Sequence, residues 1–269
     1  MQISVWSNMH GQAATSATTA ALASSLAQKT AYKVLVTHNH IERSALEGYL
    51  LRQPTDVEKS VHNITNQGLD ALVRLYKNGR LKPDMVADYT HSLLKDHRLD
   101  ILAGTAKREK TTAGELDVLI NIIKCAREFY DLVLMDTHSG LNENNSLKIL
   151  ESSDIIVFCI NQNLFLLEDL KKFQSKYPFL KQKRSVYVIS RYEKSGLISR
   201  GYIARKYGLN KASMFEFPNS TNFMEALNTG RVFEYIAFYK NAKACTDKTL
   251  IESLDRLCNF IIEGSGRIA

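Results

Sequence analysis

The sequence predicts a three-layer α/β/α protein built on a mostly parallel, doubly wound sheet. Two observations predict it. Short apolar runs alternate with helical patterns of crossover length along the 269 residues, and several runs are apolar throughout. A strand apolar on both faces belongs in a sheet covered on both sides. No repeat, linker or low-complexity stretch breaks the alternation, so residues 1–269 are expected to form a single domain.

The elements follow in order. Met1–Trp6 (MQISVW) opens the chain as a strand, and Ser16–Lys29 follows as an Ala-rich helix suited to close packing through small residues. Tyr32–Thr37 (YKVLVT) reads as a second strand, and residues 41–98 as helical pieces divided by turn signals near Pro54, Gly68 and Gly79. Asp100–Ala103 reads as a short strand and Gly114–Phe129 as a helix. Asp131–Met135 (DLVLM), Ile155–Ile160 (IIVFCI) and Ser185–Ser190 (SVYVIS) are the buried strands, with Leu164–Gln174 helical between the last two. Met214–Phe217 is a short strand, and Thr246–Ile262 is a final helix. Its Leu250, Leu254, Leu257, Ile261 and Ile262 share a side, which suits packing on the core rather than on a membrane.

Composition narrows the class. A hydrophobic fraction of 45% excludes a disordered chain, and 13 Gly with 4 Pro exclude a collagen-like scaffold. Cys125, Cys159, Cys245 and Cys258 form no CxxC pair and fit a reducing compartment as small buried residues. No run is apolar enough to span a membrane, and no Lys or Arg precedes Lys29, which argues against a secretory signal. The expected location is the cytoplasm, with partners left to recruit the chain to the inner membrane face or a cell pole.

The net charge of +7 is concentrated. Between Lys171 and Lys211 twelve basic residues (Lys171, Lys172, Lys176, Lys181, Lys183, Arg184, Arg191, Lys194, Arg200, Arg205, Lys206 and Lys211) meet only Glu193. Such a segment attracts an acidic partner protein or binds DNA nonspecifically; the plainer alternative is a set of solvated helix faces.

In a doubly wound sheet, ligands sit at the carboxyl ends of the strands near the reversal of strand order. After the first strand, Ser7–Ala17 (SNMHGQAATSA) is a small-residue loop running into a helix, the skeleton of a phosphate cradle in which backbone N–H groups and the helix dipole converge. After Met135 comes Asp136-Thr137-His138-Ser139-Gly140. There an Asp at a strand tip can hold the water shell of Mg²⁺, and a glycine can turn its N–H toward a terminal phosphate. The alternative for Asp136 is a cap on the next helix.

These residues, with Ser190-Arg191-Tyr192, Phe217-Pro218 and Glu225–Gly230 (EALNTG), resemble the MinD/ParA group of P-loop ATPases with the deviant Walker A motif, over nearly the whole chain. Within it the pattern is most similar to TadZ/CpaE-type proteins of Tad (Flp) pilus assembly. The resemblance implies a P-loop NTPase-like fold, ATP or ADP with Mg²⁺ as ligand, and a homodimer. It places His10, Gly11, Gln12, Ala13, Ala14, Thr15, Ser16, Asp136 and Gly140 around the phosphates, Arg191 and Pro218 beside the base, and Thr15, Ser16 and Asp136 at the metal.

The departures from the pattern KGGxGK[ST] carry equal weight. Its phosphate lysine falls on Ala14 or Thr15, and its signature lysine on Met9 or His10. Neither lysine is present. The carboxylate expected after the second strand is also missing, because Val36–His40 reads VTHNH. Phosphoryl transfer depends on neutralising the equatorial oxygens. Loss of the cations is expected to cost about a hundredfold or more in rate. The chain therefore reads as a degenerate member with no catalytic residue, a pseudo-ATPase serving localisation or assembly. A functional partitioning ATPase and a DNA-binding module using residues 171–211 stand as alternatives. Four of the seven histidines, His10, His38, His40 and His138, fall at strand tips. They read as polar loop residues in preference to a transition-metal site, although imidazole suits Zn, Ni or Cu.

Overall fold

The computed structural model describes residues 1–40, 44–51, 67–105, 113–140, 144–240 and 247–264. Cys245, the turn expected near Pro54, and the tail beyond Gly264 lie outside the described residues. Eight strands form one sheet in the order β3-β4-β2-β5-β1-β6-β7-β8. They are β1 (Gln2–Trp6), β2 (Val34–His38), β3 (His91–Leu94), β4 (Leu99–Ile101), β5 (Leu132–Asp136), β6 (Ile155–Ile160), β7 (Arg184–Tyr192) and β8 (Met214–Pro218). Every pairing is parallel except β3 with β4. Strand order reverses at the central β1, which lies between β5 and β6.

The apolar runs explain the layers. Ile3, Val5, Val34, Leu134, Val157 and Val188 face one layer, made of α1 (Thr15–Lys29), α2 (Ala45–Leu50), α9 (Thr221–Asn228), α10 (Val232–Lys240) and α11 (Lys248–Glu263). Trp6, Phe158, Ile160 and Ile189 face α6 (Leu164–Lys176), α7 (Phe179–Gln182) and α8 (Arg200–Tyr207), and the Trp6 indole stacks on Phe173 at 5.0 Å. Leu35, Val133 and Met135 face α3 (Gly68–Lys77) and α4 (Ala113–Phe129), and Ile149 of α5 (Asn144–Ser152) joins them. Both faces are covered, as the continuous apolar strands require.

The small residues of α1 let it lie buried along nearly its whole length, from Ala17 to Ala27. The last helix turns Leu250, Leu254, Leu257 and Ile261 fully inward, with Ile262 half-buried. Cys159 and Cys258 are buried, and burial pushes the Cys159 thiol up to about 12.

The expectation of helical pieces across residues 41–98 needs correction. His91–Leu94 (HSLL) is a strand, the antiparallel edge of the sheet. Four residues with little alternation carry too weak a period to distinguish strand from helix, and pairing with β4 decides the matter. Strand β7 also runs beyond Ser185–Ser190, to Arg184 and Tyr192.

Candidate functional site

The loop after β1 enters α1 through an unusual backbone. Ala14 precedes the helix with φ 54°, a left-handed conformation, and Gly11 has φ 70°. Only glycine adopts that region freely, so an alanine there carries strain of about 1 kcal/mol. Ala14 has no side-chain acceptor for the first-turn N–H groups of α1, and the first turn holds no acidic residue. The uncapped positive end of the helix therefore faces the space beside it.

That space is a cavity of about 650 Å³ at the carboxyl ends of the strands. His10, Gly11 and Ala14–Thr18 form one side, and Ser190, Arg191, Phe217 and Pro218 another. His40, Ser44, Ala45 and Tyr49 close it from the β2–α2 side, and Leu227 and Asn228 from α9. Among its described lining residues Arg191 is the one Lys or Arg. It is exposed, has φ 52° and sits at an irregularity of β7, two strands from β1. Its left-handed backbone is the kind of local strain that clusters at functional sites.

Seven of the eleven residues expected at a nucleotide therefore meet on one cavity: His10, Gly11, Ala14, Thr15, Ser16, Arg191 and Pro218. Gln12, Ala13, Asp136 and Gly140 lie outside its lining. The Gln12 carbonyl accepts from Asn161 Nδ2 at 3.0 Å, and Ala13 is buried. The Gly140 N–H donates to the Ser7 carbonyl at 3.0 Å, so it braces the loop after β1 rather than pointing at a ligand.

Asp136 ends β5 with no exposed surface. Its Oδ2 lies 3.3 Å from His40 Nε2 and 3.5 Å from Ser44 Oγ, and its Oδ1 has no hydrogen-bond partner among the described residues. A buried, poorly satisfied carboxylate oxygen is costly unless a ligand completes it. The alternative of a helix cap is not what the described contacts give.

The strand-tip histidines do gather. His10 stacks on His138 with centroids 5.2 Å apart, His138 meets His40 at 5.3 Å, and His40 meets His38 at 5.5 Å. Among the described residues, however, no group of three or more His, Cys, Asp or Glu is arranged to hold a metal ion. His38 instead ties α2 to the sheet: its Nε2 lies 3.1 Å from Glu47 Oε1, which also accepts from the Gly104 N–H at 2.9 Å. Burial raises the Glu47 carboxyl, but the hydrogen bonds from His38 and Gly104 outweigh it and hold the group below its ordinary value. Tyr49 is held above its usual range by burial and by the charge of Asp136.

Ser44 and Tyr49 are cavity residues that sequence reasoning missed, whereas Asn228 falls within the Glu225–Gly230 stretch it had singled out. One signal was present: Ser44-x-x-Glu47 has capping-box spacing, and the Ser44 hydroxyl accepts from the Leu46 N–H at 3.1 Å. Glu47 departs from that box to reach His38.

The basic segment is partly consumed by the fold. Lys183 donates to the Ser153 carbonyl, Arg184 to the Phe260 carbonyl, Arg200 pairs with Glu216 and Lys206 with Glu168. Lys171, Lys172, Lys181, Lys194, Arg205 and Lys211 are exposed. No helix among the described residues is long and apolar enough to cross a membrane.

No protein-family model matches the sequence, and no curated protein matches it. Solved structures do match the fold. A ParA family ATPase from Chlorobium tepidum TLS superposes with a TM-score of 0.73 at 17% identity, over 96% of this chain and 98% of that one. MinD from Pyrococcus horikoshii OT3, complexed with Mg-ADP, gives 0.69 at 16%, over 98% and 97%. The MinC:MinD complex of Aquifex aeolicus gives 0.71 at 12%, over 100% and 99%. The chain has the α/β fold of these ATPases.

Proposed function

We propose that the chain is a degenerate MinD/ParA-type protein, a single nucleotide-binding-fold domain whose phosphate cradle has lost its cations. It serves as a localisation or assembly factor of the Tad (Flp) pilus kind, with weak or absent hydrolysis. The observation that carries this reading is the charge of the cavity: a helix N-terminus and hydroxyls, with Arg191 as the one Lys or Arg in its described lining.

The glycine-type backbone at Ala14 supports one register of KGGxGK[ST]. Ala14 then stands for the last glycine, Thr15 for the phosphate lysine, Ser16 for the metal-binding hydroxyl and His10 for the signature lysine. Backbone N–H groups of Gly11–Ser16 would hold the phosphates of ATP or ADP. In this register Ser16 and Asp136 would hold Mg²⁺, with the Thr15 hydroxyl next to them, which fits the unpartnered Oδ1 of Asp136. When bound, Mg²⁺ neutralises phosphate charge. Arg191 and Pro218 would border the base. MinD with Mg-ADP and the MinC:MinD complex support the nucleotide, and a protein partner, by analogy of fold. A homodimer recruited by partners to a membrane face or pole completes the reading.

The test is a titration with a fluorescent ATP analogue at low salt, with and without Mg²⁺, beside a phosphate-release assay. Expected are weak, Mg²⁺-dependent binding, lost in Asp136→Ala, and no release above background. Turnover dependent on Mg²⁺ and abolished by Asp136→Ala would instead establish a partitioning-type ATPase that borrows a cation from a partner. The free oxygen of Asp136 is what keeps that second reading in view. Binding of DNA by residues 171–211 would show as mobility shifts lost on neutralising Lys171, Lys172 and Lys181, all exposed.

A further inference from the structure

Among the described residues β8 is the last strand of the sheet and pairs with β7 alone, which makes it an edge strand. Beside it lies a groove of about 440 Å³. Its floor is Met214, Phe215 and Phe260, and its rim carries Arg200, Lys211 and Arg256. The acidic residue of the lining is Glu263; Glu216, on β8 itself, is already paired with Arg200. The groove therefore joins two residues of the basic segment to a third cation from α11, more than forty residues further along the chain.

Arg200 is tied to β8 itself. Its Nη1 donates to the Met214 carbonyl at 3.3 Å and so covers part of the edge. Its Nε lies 3.2 Å from Glu216 Oε1 but is too poorly aligned for a hydrogen bond, and it is buried without another partner. Arg256 reaches only Ser253 Oγ, at 3.0 Å, and the Lys211 ammonium has no ion pair among the described residues. An incoming carboxylate would meet the exposed Arg256 and Lys211 with charge-assisted bonds.

We propose that this groove docks an extended acidic segment of a partner protein along the edge of β8. Charge complementarity supplies the occupant, and the half-buried Phe260 ring on the floor favours a peptide over nucleic acid, whose backbone offers nothing to it. The site lies apart from the nucleotide cavity, and no lining residue is shared between the two. The inference consequently stands whether or not the cradle binds a nucleotide.

The test uses the full chain without nucleotide and reads fluorescence anisotropy. The probes are a labelled peptide of about ten residues, alternating Glu with Leu, and a labelled DNA duplex. Expected is salt-sensitive peptide binding that weakens by about tenfold in the double variant Lys211→Glu/Arg256→Glu. Both residues are exposed, and unchanged melting curves would show that the variant folds. A control on α6, Lys171→Glu/Lys172→Glu, changes the net charge equally and is expected to leave binding within about twofold. Glu263→Lys is expected to tighten it. Equal weakening by the α6 control, absence of peptide binding at low salt, or binding of the duplex but not the peptide at these residues would each overturn the proposal.

Discussion

Asp100 on β4 and Asp136 at the end of β5 are both without solvent exposure, yet their surroundings differ. Asp100 Oδ2 accepts from the Tyr130 hydroxyl at 2.5 Å and from Thr90 Oγ1 at 3.2 Å, and lies 2.8 Å from His97 Nδ1. Burial, together with the hydrogen bond and charge of Asp100, raises the Tyr130 phenol well above its usual range, so it remains a donor. The left-handed backbones of Asp96 and His97 are held in place beside this cluster. Among the described residues Asp136 has the distant Ser44 hydroxyl and a poorly aligned His40. Oδ1 of each carboxylate lacks a hydrogen-bond partner among the described residues, so the difference lies at Oδ2: one held by three close groups fixes structure, whereas one left short of donors at a strand tip is available to a ligand.

This contrast can be broken experimentally. Asp100→Ala, which strips three groups of their buried acceptor, is expected to lower the unfolding free energy by about 3 kcal/mol or more in urea titrations. A loss under about 1 kcal/mol would erase the distinction between the two aspartates. Tyr130→Phe, which removes one donor from the same oxygen, should cost about 1–2 kcal/mol by the same measurement. Asp136→Asn should stay within about 1 kcal/mol of the parent while abolishing any rise in Tm on adding Mg²⁺ with an ATP analogue. A large destabilisation there would make Asp136 a structural residue like Asp100.

The smallest effect concerns Glu47, which closes α2 over the cavity. Because its native carboxyl is held below the ordinary value, the native state takes up its proton less readily than the unfolded chain. Its stabilisation is complete above the unfolded value of about 4.3 and is lost as pH falls through the lower native one. With a side chain 35% exposed, the contribution is screened. Glu47→Gln should flatten this part of the acid limb, read as urea midpoints across that range; an unchanged limb would remove the His38–Glu47 contact from the stability of the closed cavity.

Much of the fold was legible because covered strands announce themselves. DLVLM, IIVFCI and SVYVIS have no polar face, and a sheet with both sides buried is the arrangement that hides them. The face of α11 was legible from its leucine spacing. The short edge strand β3 was not, since its partner lies on β4 and its own residues hold little pattern. The small-residue loop at the cavity and the Asp at the neighbouring strand tip could be found, but Ser44 and Tyr49 come from a short helix joined to the sheet by the His38–Glu47 contact.

What the sequence determined by itself was the absence of charge: no lysine precedes Lys29, so none can stand in the loop after β1. It likewise determined most of the order of strands and helices, β3 excepted, because hydrophobic periodicity is local. Tertiary structure alone decided the left-handed turn at Ala14, the unequal satisfaction of Asp100 and Asp136, and the meeting of Arg200 with Arg256. Those depend on which groups distant in the chain reach one another, and no local pattern encodes a hydrogen bond that is made, or left unmade, across the sheet.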